Sequence, residues 1–168
     1  MKKSLGTFEV ESGRIFIGDP CYDKHEGIPA INGKWKAYVN RNFQGQVCSL
    51  VAIASAPVDS TNWEHFSYEG VDSGQMSIFD MKHFKTNAEV EGMPQPKWMT
   101  PKRIKEAGER FYGAICTLTS SHPDHENEGF GGVTKHGCVS ITKWGDGSYP
   151  CKVKKNRRGA ITAVRIQF

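Results

Sequence analysis

Residues 46–54, with the sequence QVCSLVAIA, form a nearly continuous apolar run. Gly45 precedes the run and Pro57 follows it, so turn-forming residues bound it on both sides. A strand that faces solvent on one side alternates apolar and polar residues, and this run does not alternate. It therefore predicts a strand that is buried on both faces, at the centre of a sheet.

Further strands are predicted on both sides of this central one. The runs that indicate them lie at residues 14–17, 34–39, 75–79, 111–119, 137–143, 149–155 and 160–168. Asn32-Gly33 is a hairpin-turn dipeptide before the second of these runs. Short strands separated by Gly-rich turns are typical of antiparallel sandwiches and barrels. We expect one mainly-β domain over residues 1–168, all-β or α+β, built as an antiparallel β-sandwich or barrel of about eight or nine strands.

Two segments differ from this pattern. Residues 81–100 are polar and contain Pro94, Pro96 and several lysines, which predicts a long loop outside the core. Thr100-Pro101 has the residue types that begin a helix, with threonine as the N-cap and proline in the first turn. Gly108 should end that helix after about two turns. One or two short helices are therefore expected beside the strands.

Composition excludes several classes of protein. The 22 lysines and arginines exceed the 18 aspartates and glutamates by four, an excess too small to indicate nucleic-acid binding by itself. No apolar run approaches the roughly 20 residues that cross a bilayer, so we expect no membrane partner, and the basic N-terminus lacks the apolar stretch of a signal peptide. The five cysteines include no C-x-x-C pair, which favours reduced thiols and a cytoplasmic location.

Three motifs each place an aspartate beside glycine or proline at the end of a predicted strand. They are Gly18-Asp19-Pro20-Cys21-Tyr22, Val71-Asp72-Ser73-Gly74-Gln75 followed by Asp80, and Gly145-Asp146-Gly147-Ser148-Tyr149. Such aspartates often stabilise only their own turn. Three of them in one small domain favour a shared site, because loops at one end of a β-scaffold commonly bind ligands. The predicted ligand-binding residues are Asp19, Cys21, Tyr22, Asp72, Ser73, Gln75, Asp80, Asp146, Ser148 and Tyr149.

The order of these motifs resembles that of a family of bacterial and phage proteins described only as a domain of unknown function. The segments that carry the resemblance are GRIFIGDPCY at 13–22, NGKWKAYV at 32–39, VCSLVAIA at 47–54, VDSGQMSIFD at 71–80 and WGDGSYP at 144–150. They cover most of the chain apart from residues 81–100 and 120–136. The resemblance implies a cytosolic protein of bacterial or phage origin in which the three motifs form the site, and it implies no activity.

The chemistry of the three motifs leaves the class of function open. Carboxylates held together suit a cation, the hydroxyls of a ribose or general-base work. We favour a binding protein for a small nucleotide-like molecule or, if the protein is phage-encoded, for a host protein of the defence machinery. A hydrolase that uses Asp72 and Asp146 is the second hypothesis, and an inhibitor that acts by protein–protein contact is the third. The sequence predicts no oligomeric state.

Cys21 is a candidate nucleophile, and His25, four residues further on, is the candidate base. A reactive cysteine needs a lowered pKa and a base within hydrogen-bond reach. Asp19 and Asp23 flank Cys21, and neighbouring negative charge raises the pKa of a thiol. We therefore expect an unreactive thiol at the end of a turn.

Two other patterns have simpler interpretations. Residues 118–125, LTSSHPDH, resemble the zinc signature of the metallo-β-lactamase superfamily, but Ser120 stands in place of its first histidine. Only 43 residues follow His125, too few for the second half of such a site, so we predict no zinc there and expect no metal or cofactor. The basic residues of 152–158 can contact the phosphates of a nucleic acid, but we favour a charged hairpin that protects an edge strand.

Overall fold

The computed structural model describes residues 1–57, 59–100, 102, 107–120 and 128–168, and strands dominate it. The strands are β1 (Lys2–Val10), β2 (Arg14–Gly18), β3 (Ile28–Pro29), β4 (Gly33–Arg41), β5 (Val47–Ala54), β6 (Glu64–Val71), β7 (Gln75–Asp80), β8 (Gly131–Val133), β9 (Gly137–Ile141), β10 (Gly147–Lys155) and β11 (Ile161–Gln167). One α-helix, α1 (Ala107–Thr119), and a 3-10 turn at Ala88–Val90 complete the described elements. Neither described helix is long and apolar enough to cross a membrane.

The strands form two antiparallel sheets. The first sheet has the order β1-β4-β5-β11-β10-β6, and the second has the order β3-β2-β7-β9-β8. Both sheets are open, since β1 and β6 end the first and β3 and β8 end the second. The prediction of a mainly-β antiparallel fold is confirmed, and the form it takes is a sandwich and not a barrel. The two sheets share a core that includes Trp35 and Leu50 of the first and Ile17 and Ile78 of the second.

The predicted central strand is confirmed. β5 lies inside the first sheet, between β4 and β11, and pairs with both along most of its length. Six of its eight residues are buried. Burial on both faces explains why the run lacks the alternation of a half-exposed strand.

The second sheet is the middle layer of the described structure. Alternate side chains of its strands face opposite ways, so Ile17 and Ile78 pack toward the first sheet while Phe16 and Phe79 pack on the other side. The second core, on that other side, also contains Phe84, Val90, Phe111, Ala114, Ile115 and Val139. All six residues of β7 are buried because both of its faces are covered.

Residues 111–119 form most of α1, so the prediction of a strand there is wrong. Buried Phe111, Ala114 and Ile115, with half-buried Leu118, recur at the three- and four-residue spacing of a helix. The sequence therefore carried the helical period, and the high apolar content of the run obscured it. Gly108 lies in the first turn of α1 and does not end a helix. The predicted helix start at Thr100-Pro101 falls partly outside the described residues.

The prediction that residues 81–100 lie outside the core is wrong in part. The segment has no strand, as expected, but Phe84 and Val90 are fully buried in the second core. Phe84 stacks on Phe16 at 4.0 Å between ring centroids and meets Phe111 edge-on at 5.4 Å. A polar segment with few apolar residues thus supplies two of the side chains that attach α1 to the second sheet.

The Asn32-Gly33 turn also differs from its prediction. β3 precedes the turn and pairs with β2 in the second sheet, whereas β4 follows it and pairs with β1 and β5 in the first. The turn therefore carries the chain from one sheet to the other and closes no hairpin. The sequence analysis also missed four strands, β1, β3, β6 and β8.

Candidate functional site

The antiparallel registers bring the three predicted motifs to one end of the second sheet. Gly18 at the end of β2 lies opposite Ser77, near the start of β7. Gln75, the first residue of β7, lies opposite Ile141 at the end of β9. The turns that follow β2, precede β7 and follow β9 are therefore neighbours, and we call them the turn cluster, comprising residues 19–22, 72–74 and 142–146.

Asp19 joins the first two turns. Its Oδ2 accepts hydrogen bonds from the backbone N–H groups of Asp72 and Ser73, both at 2.8 Å. Its Oδ1 accepts from the N–H of Cys21 at 2.8 Å and from the Ser73 hydroxyl at 2.7 Å. Asp19 is fully buried, and these four bonds occupy its carboxylate. The residue therefore holds the site together and is not exposed to contact a ligand.

The hydrogen bonds also fix the charge of Asp19. Burial alone would raise the pKa of its carboxyl, but the bonds from Cys21, Ser73 and Asp72 outweigh burial and hold the pKa below its ordinary value of 3.8. A carboxylate with this many donors is ionised at neutral pH. Asp19 therefore carries a negative charge in the folded protein, and that charge is balanced by the hydrogen-bond donors around it.

Asp72 is exposed, in contrast to Asp19. Its Oδ2 accepts a hydrogen bond from the hydroxyl of Tyr22 at 2.8 Å. This bond is the main cause that raises the pKa of Tyr22 to about 12, with a smaller effect from burial. The pair presents a carboxylate and a phenol at the surface of the turn cluster.

The third turn packs directly against the second. The N–H of Thr142 donates to the carbonyl of Gly74 at 2.9 Å, and its hydroxyl donates to the carbonyl of Gly145 at 2.6 Å. Tyr149 is buried, and its hydroxyl also donates to Gly145, at 2.8 Å. Asp146 and Ser148 are exposed beside this turn. Tyr149 therefore supports the turn, while Asp146 and Ser148 face solvent.

Helix α1 contributes residues that the sequence analysis missed. The side-chain amide of Gln75 donates to the Thr119 hydroxyl at 2.6 Å and points at the Cys116 sulfur at 3.7 Å. The Tyr112 hydroxyl is within hydrogen-bond reach of Ser73 and Cys116. Burial, followed by the neighbouring Cys116, raises the pKa of Tyr112 to about 12. The helical spacing of 112, 116 and 119 was the signal, and it was lost when this segment was interpreted as a strand.

Cys21 is exposed but unsuited to nucleophilic catalysis. Partial burial of its thiol, followed by the hydrogen bond to Asp19, raises its pKa to about 12. His25 is no base for it, because its ring stacks on Phe16 and its Nδ1 accepts from the N–H of Gly27 at 2.8 Å. The expectation of an unreactive thiol agrees with this geometry.

Two adjoining clefts lie beside the turn cluster. One, of about 240 Å³, is lined by Cys21, Lys85, Gly108, Glu109 and Tyr112. The other, of about 340 Å³, is lined by Trp98, Met99, Glu109 and Tyr112. They share two lining residues, and we call them together the α1 cleft. A larger groove of about 530 Å³ lies on the first sheet, but none of the predicted site residues lines it.

Asp80 lies at the opposite end of β7 from the turn cluster. Its Oδ2 accepts from the backbone N–H groups of Glu11 and Ser12 at 2.6 and 2.7 Å. Its Oδ1 accepts from the backbone N–H of Lys82 at 2.8 Å. It is fully buried. Asp80 thus holds the turn between β1 and β2 as Asp19 holds the turn between β6 and β7, and it is separate from the other predicted site residues.

A second polar cluster lies near Asp80. It contains Glu11, His83, Glu89, Thr134 and His136, which we call the Glu–His cluster. The rings of His83 and His136 stack at 3.5 Å with an angle of 6° between their planes. No short-range motif connects these residues, because they come from three segments that lie far apart in the sequence. Sequence reasoning had no signal for this cluster.

Two of the charges of the basic hairpin are paired with carboxylates. Lys155 pairs with Glu64 at 2.7 Å, and Arg157 pairs with Asp59 at 2.7 Å. The guanidinium of Arg165 lies over the ring of Trp63 at 4.3 Å. β10 is also an inner strand, so these charges do not protect its edge. The predicted zinc-like segment at 120–125 falls almost wholly outside the described residues, apart from Ser120.

The comparisons identify a family. Residues 56–166 match the family model described as "Protein of unknown function (DUF4241)", and the chain belongs to this family. The match includes the second and third motifs of the turn cluster and begins after the Asp19 motif. No curated protein and no solved structure gives a significant match.

Proposed function

We propose that this member of the DUF4241 family is a binding protein for a small nucleotide-like molecule, which it holds in the α1 cleft beside the turn cluster. The observation that carries the proposal is the combination of residues in one cleft. Trp98 and Tyr112 offer ring surfaces, and Lys85 offers a cation. A flat base stacks on aromatic rings, and an ammonium group binds phosphate.

Lys85 is held in place for this role. Its Nζ donates to the backbone carbonyls of Tyr22 at 2.7 Å and Cys21 at 3.3 Å. An ammonium group has three donors, and the third can bind an anionic group of the ligand in place of the exposed carboxylate of Asp23, which lies 3.9 Å from Nζ. Lys85 adopts a left-handed backbone conformation with φ of 62°, which is uncommon for a residue with a side chain. Such backbone conformations are found where function requires a fixed side-chain position.

The exposed acids of the turn cluster complete the proposed site. Asp72 uses one carboxylate oxygen for Tyr22 and has a second oxygen that can accept a hydrogen bond from a ribose hydroxyl. Asp146 and Ser148 are exposed on the adjoining turn. In this proposal Asp19, Gln75 and Tyr149 position the turns. Asp72 and Asp146 of the turn cluster, with the adjoining Ser148, are exposed and can meet the ligand.

AMP is the probe that tests the proposal, with titration followed by isothermal calorimetry on the whole chain. Trp98→Ala should weaken AMP binding roughly 5- to 150-fold, because loss of one stacking surface removes roughly 1–3 kcal/mol. Trp98 is 47% exposed, so this change should leave the fold intact. Phe43→Ala is the matched control, since Phe43 is 92% exposed between β4 and β5 and belongs to neither the α1 cleft nor the turn cluster, and its loss should leave the affinity unchanged.

Two results would overturn the proposal. One is the absence of AMP binding together with the absence of any small molecule when the purified protein is denatured and its released compounds are analysed by mass spectrometry. The other is equal loss of affinity in the Trp98 and Phe43 variants. Conversion of AMP during the titration would instead support the hydrolase hypothesis, with Asp72→Asn and Asp146→Asn expected to stop the conversion.

A further inference from the structure

The Glu–His cluster has the composition and layout of a metal site. Glu11, His83 and His136 each present one ligand atom, and these atoms all lie within 4.8 Å of one another. The Nε2 of His83 lies 2.9 Å from one oxygen of Glu11, and the Nε2 of His136 lies 3.2 Å from the other. Two imidazole nitrogens and one carboxylate therefore face a common point.

Glu89 determines which nitrogen of His136 is available. Its Oε2 lies 2.6 Å from the Nδ1 of His136, and its Oε1 accepts hydrogen bonds from the Thr134 hydroxyl and from the N–H of His136. A carboxylate only accepts hydrogen bonds, so Nδ1 carries the proton and the lone pair of a neutral ring lies on Nε2. This pairing of a ligand histidine with a second carboxylate is the usual support of a metal-bound imidazole.

The Nε2 of His136 is the unsatisfied group of the cluster. It is a buried atom without a hydrogen-bond partner in the described residues, and the His136 side chain is only 5% exposed. Its lone pair faces the carboxylate of Glu11, which is also rich in lone pairs. A positive charge between the two groups would satisfy both, and a bound metal cation is one source of it, because buried polar atoms without partners are costly.

His83 can take the same arrangement. Its Nε2 faces Glu11, and its Nδ1 lies 4.0 Å from the Oε2 of Glu89. Replacement of a proton on Nε2 by a metal leaves the ring proton on Nδ1, directed at Glu89.

We propose that Glu11, His83 and His136 bind one divalent transition-metal ion, with Glu89 as the carboxylate that orients the histidines. Two imidazoles and one carboxylate are a ligand set for Zn²⁺ or Fe²⁺. In tetrahedral geometry, ligands at about 2.0–2.2 Å from an ion lie about 3.3–3.6 Å apart, so atoms now within 4.8 Å of one another need to shift by at most about 1.5 Å. The side chain of Glu11 is 46% exposed, so the ion would be open to solvent on that side and could hold water or a ligand.

The site is distinct from the α1 cleft and does not depend on the proposed nucleotide binding. It lies around Asp80, at the other end of β7 from the turn cluster. Asp80 contributes by holding the backbone of Glu11, through the 2.6 Å hydrogen bond from its N–H. The backbone N–H of His83 also donates to the carbonyl of Asp80 at 3.2 Å. A single buried aspartate thus fixes two of the three proposed ligands.

Zinc titration of the whole chain tests the proposal. The protein is first dialysed against a chelator, then titrated with Zn²⁺ by calorimetry, and the bound metal is counted after dialysis by mass spectrometry. One equivalent should bind to the wild type. His83→Ala and Glu11→Gln should each reduce the affinity at least a hundredfold, and Glu89→Gln should reduce it tenfold to a hundredfold, as expected for a residue that orients the ligands.

Control variants separate this site from other zinc ligands. His65→Ala removes an exposed histidine of β6, and a double variant of His122 and His125 to alanine removes the zinc-like segment. Both should keep the full affinity of the wild type. Circular dichroism confirms that each variant is folded, and His83 is preferred to buried His136 for this reason. Absence of a stoichiometric ion, or equal affinity in the His83 and His65 variants, would overturn the proposal and leave the cluster as a network of hydrogen bonds and ion pairs.

Discussion

At the scale of single residues, the same residue type serves opposite purposes at the turns. Asp19 and Asp80 are fully buried and hold the backbone of a neighbouring turn, whereas Asp72 and Asp146 are exposed. The sequence context of all four is similar, with a glycine or a turn nearby. Burial and the number of hydrogen bonds therefore distinguish a structural acid from a candidate ligand contact.

The contrast between Asp19 and Asp72 predicts different effects of the same substitution. Asp19→Asn replaces one acceptor oxygen by an amide that cannot accept the bonds it received, so the free energy of unfolding should fall by about 2–4 kcal/mol. Asp72→Asn keeps an acceptor for the Tyr22 hydroxyl and should change the free energy of unfolding by less than about 1 kcal/mol. Urea denaturation followed by circular dichroism measures both, and equal losses would contradict the assigned roles.

Asp19 also makes the stability of the fold depend on pH. The pKa of Asp19 is lower in the folded chain than its ordinary 3.8, so ionisation favours the folded state. This contribution is complete above the pKa of the unfolded chain and is lost as the pH falls through the lower pKa of the folded chain. The stability difference between wild type and Asp19→Asn should therefore be constant near neutral pH and shrink below about pH 4.

At the scale of elements, close packing within the second sheet leaves no room for a side chain at one of its glycines. A Cβ at Gly137, in β9, would lie 2.1–2.4 Å from atoms of the Phe79 ring. Phe79 is fully buried in the second core and cannot move freely. Gly108, in the first turn of α1, has only the end of the Lys85 side chain nearby, at 3.9 Å.

Alanine at these two positions should act in opposite directions. Gly137→Ala should lower the free energy of unfolding by about 2–3 kcal/mol, because the ring of Phe79 must shift within a full core. Gly108→Ala should leave it unchanged or raise it by up to about 1 kcal/mol, since alanine is the better helix former. Thermal unfolding of both variants provides the measurement, and a stable Gly137 variant would show that β9 and β7 are less closely packed than described.

At the scale of the whole molecule, the segment 81–100 is what attaches α1 to the sandwich. Phe84 packs between Phe16 of β2 and Phe111 of α1, and Val90 lies in the same core. The segment also supplies Lys85 and Trp98 to the α1 cleft and His83 and Glu89 to the Glu–His cluster. Both proposed sites therefore depend on the packing of a segment without strands.

Truncation of Phe84 tests this arrangement. Phe84→Ala removes a fully buried ring and should lower the free energy of unfolding by about 3–5 kcal/mol. Phe43→Ala is the control, because Phe43 is 92% exposed, and it should change the stability by less than about 0.5 kcal/mol. Hydrogen exchange should also show the amides of 81–90 unprotected in the Phe84 variant. A Phe84 variant as stable as the control would place the segment outside the cooperative fold.

The sequence by itself determined the class of the fold, the central strand and the turns. Apolar runs of strand length between Gly-rich turns favour strands buried in stacked sheets, so β5, β7 and β11 were predictable from local pattern, whereas the apolar run at 111–119 is a helix. The acids beside these turns were also visible, since aspartate next to glycine or proline is a local signal.

Only the tertiary structure decided which of these acids share a site and which other residues join them. The register of β2, β7 and β9 brought Asp19, Asp72 and Asp146 to one end and sent Asp80 to the other. The Glu–His cluster combines residues 11, 83, 89 and 136, which no spacing in the sequence connects. The physical reason is that hydrophobic burial selects the strands locally, whereas the juxtaposition of polar groups depends on strand order and register. Those are set by how the whole chain packs.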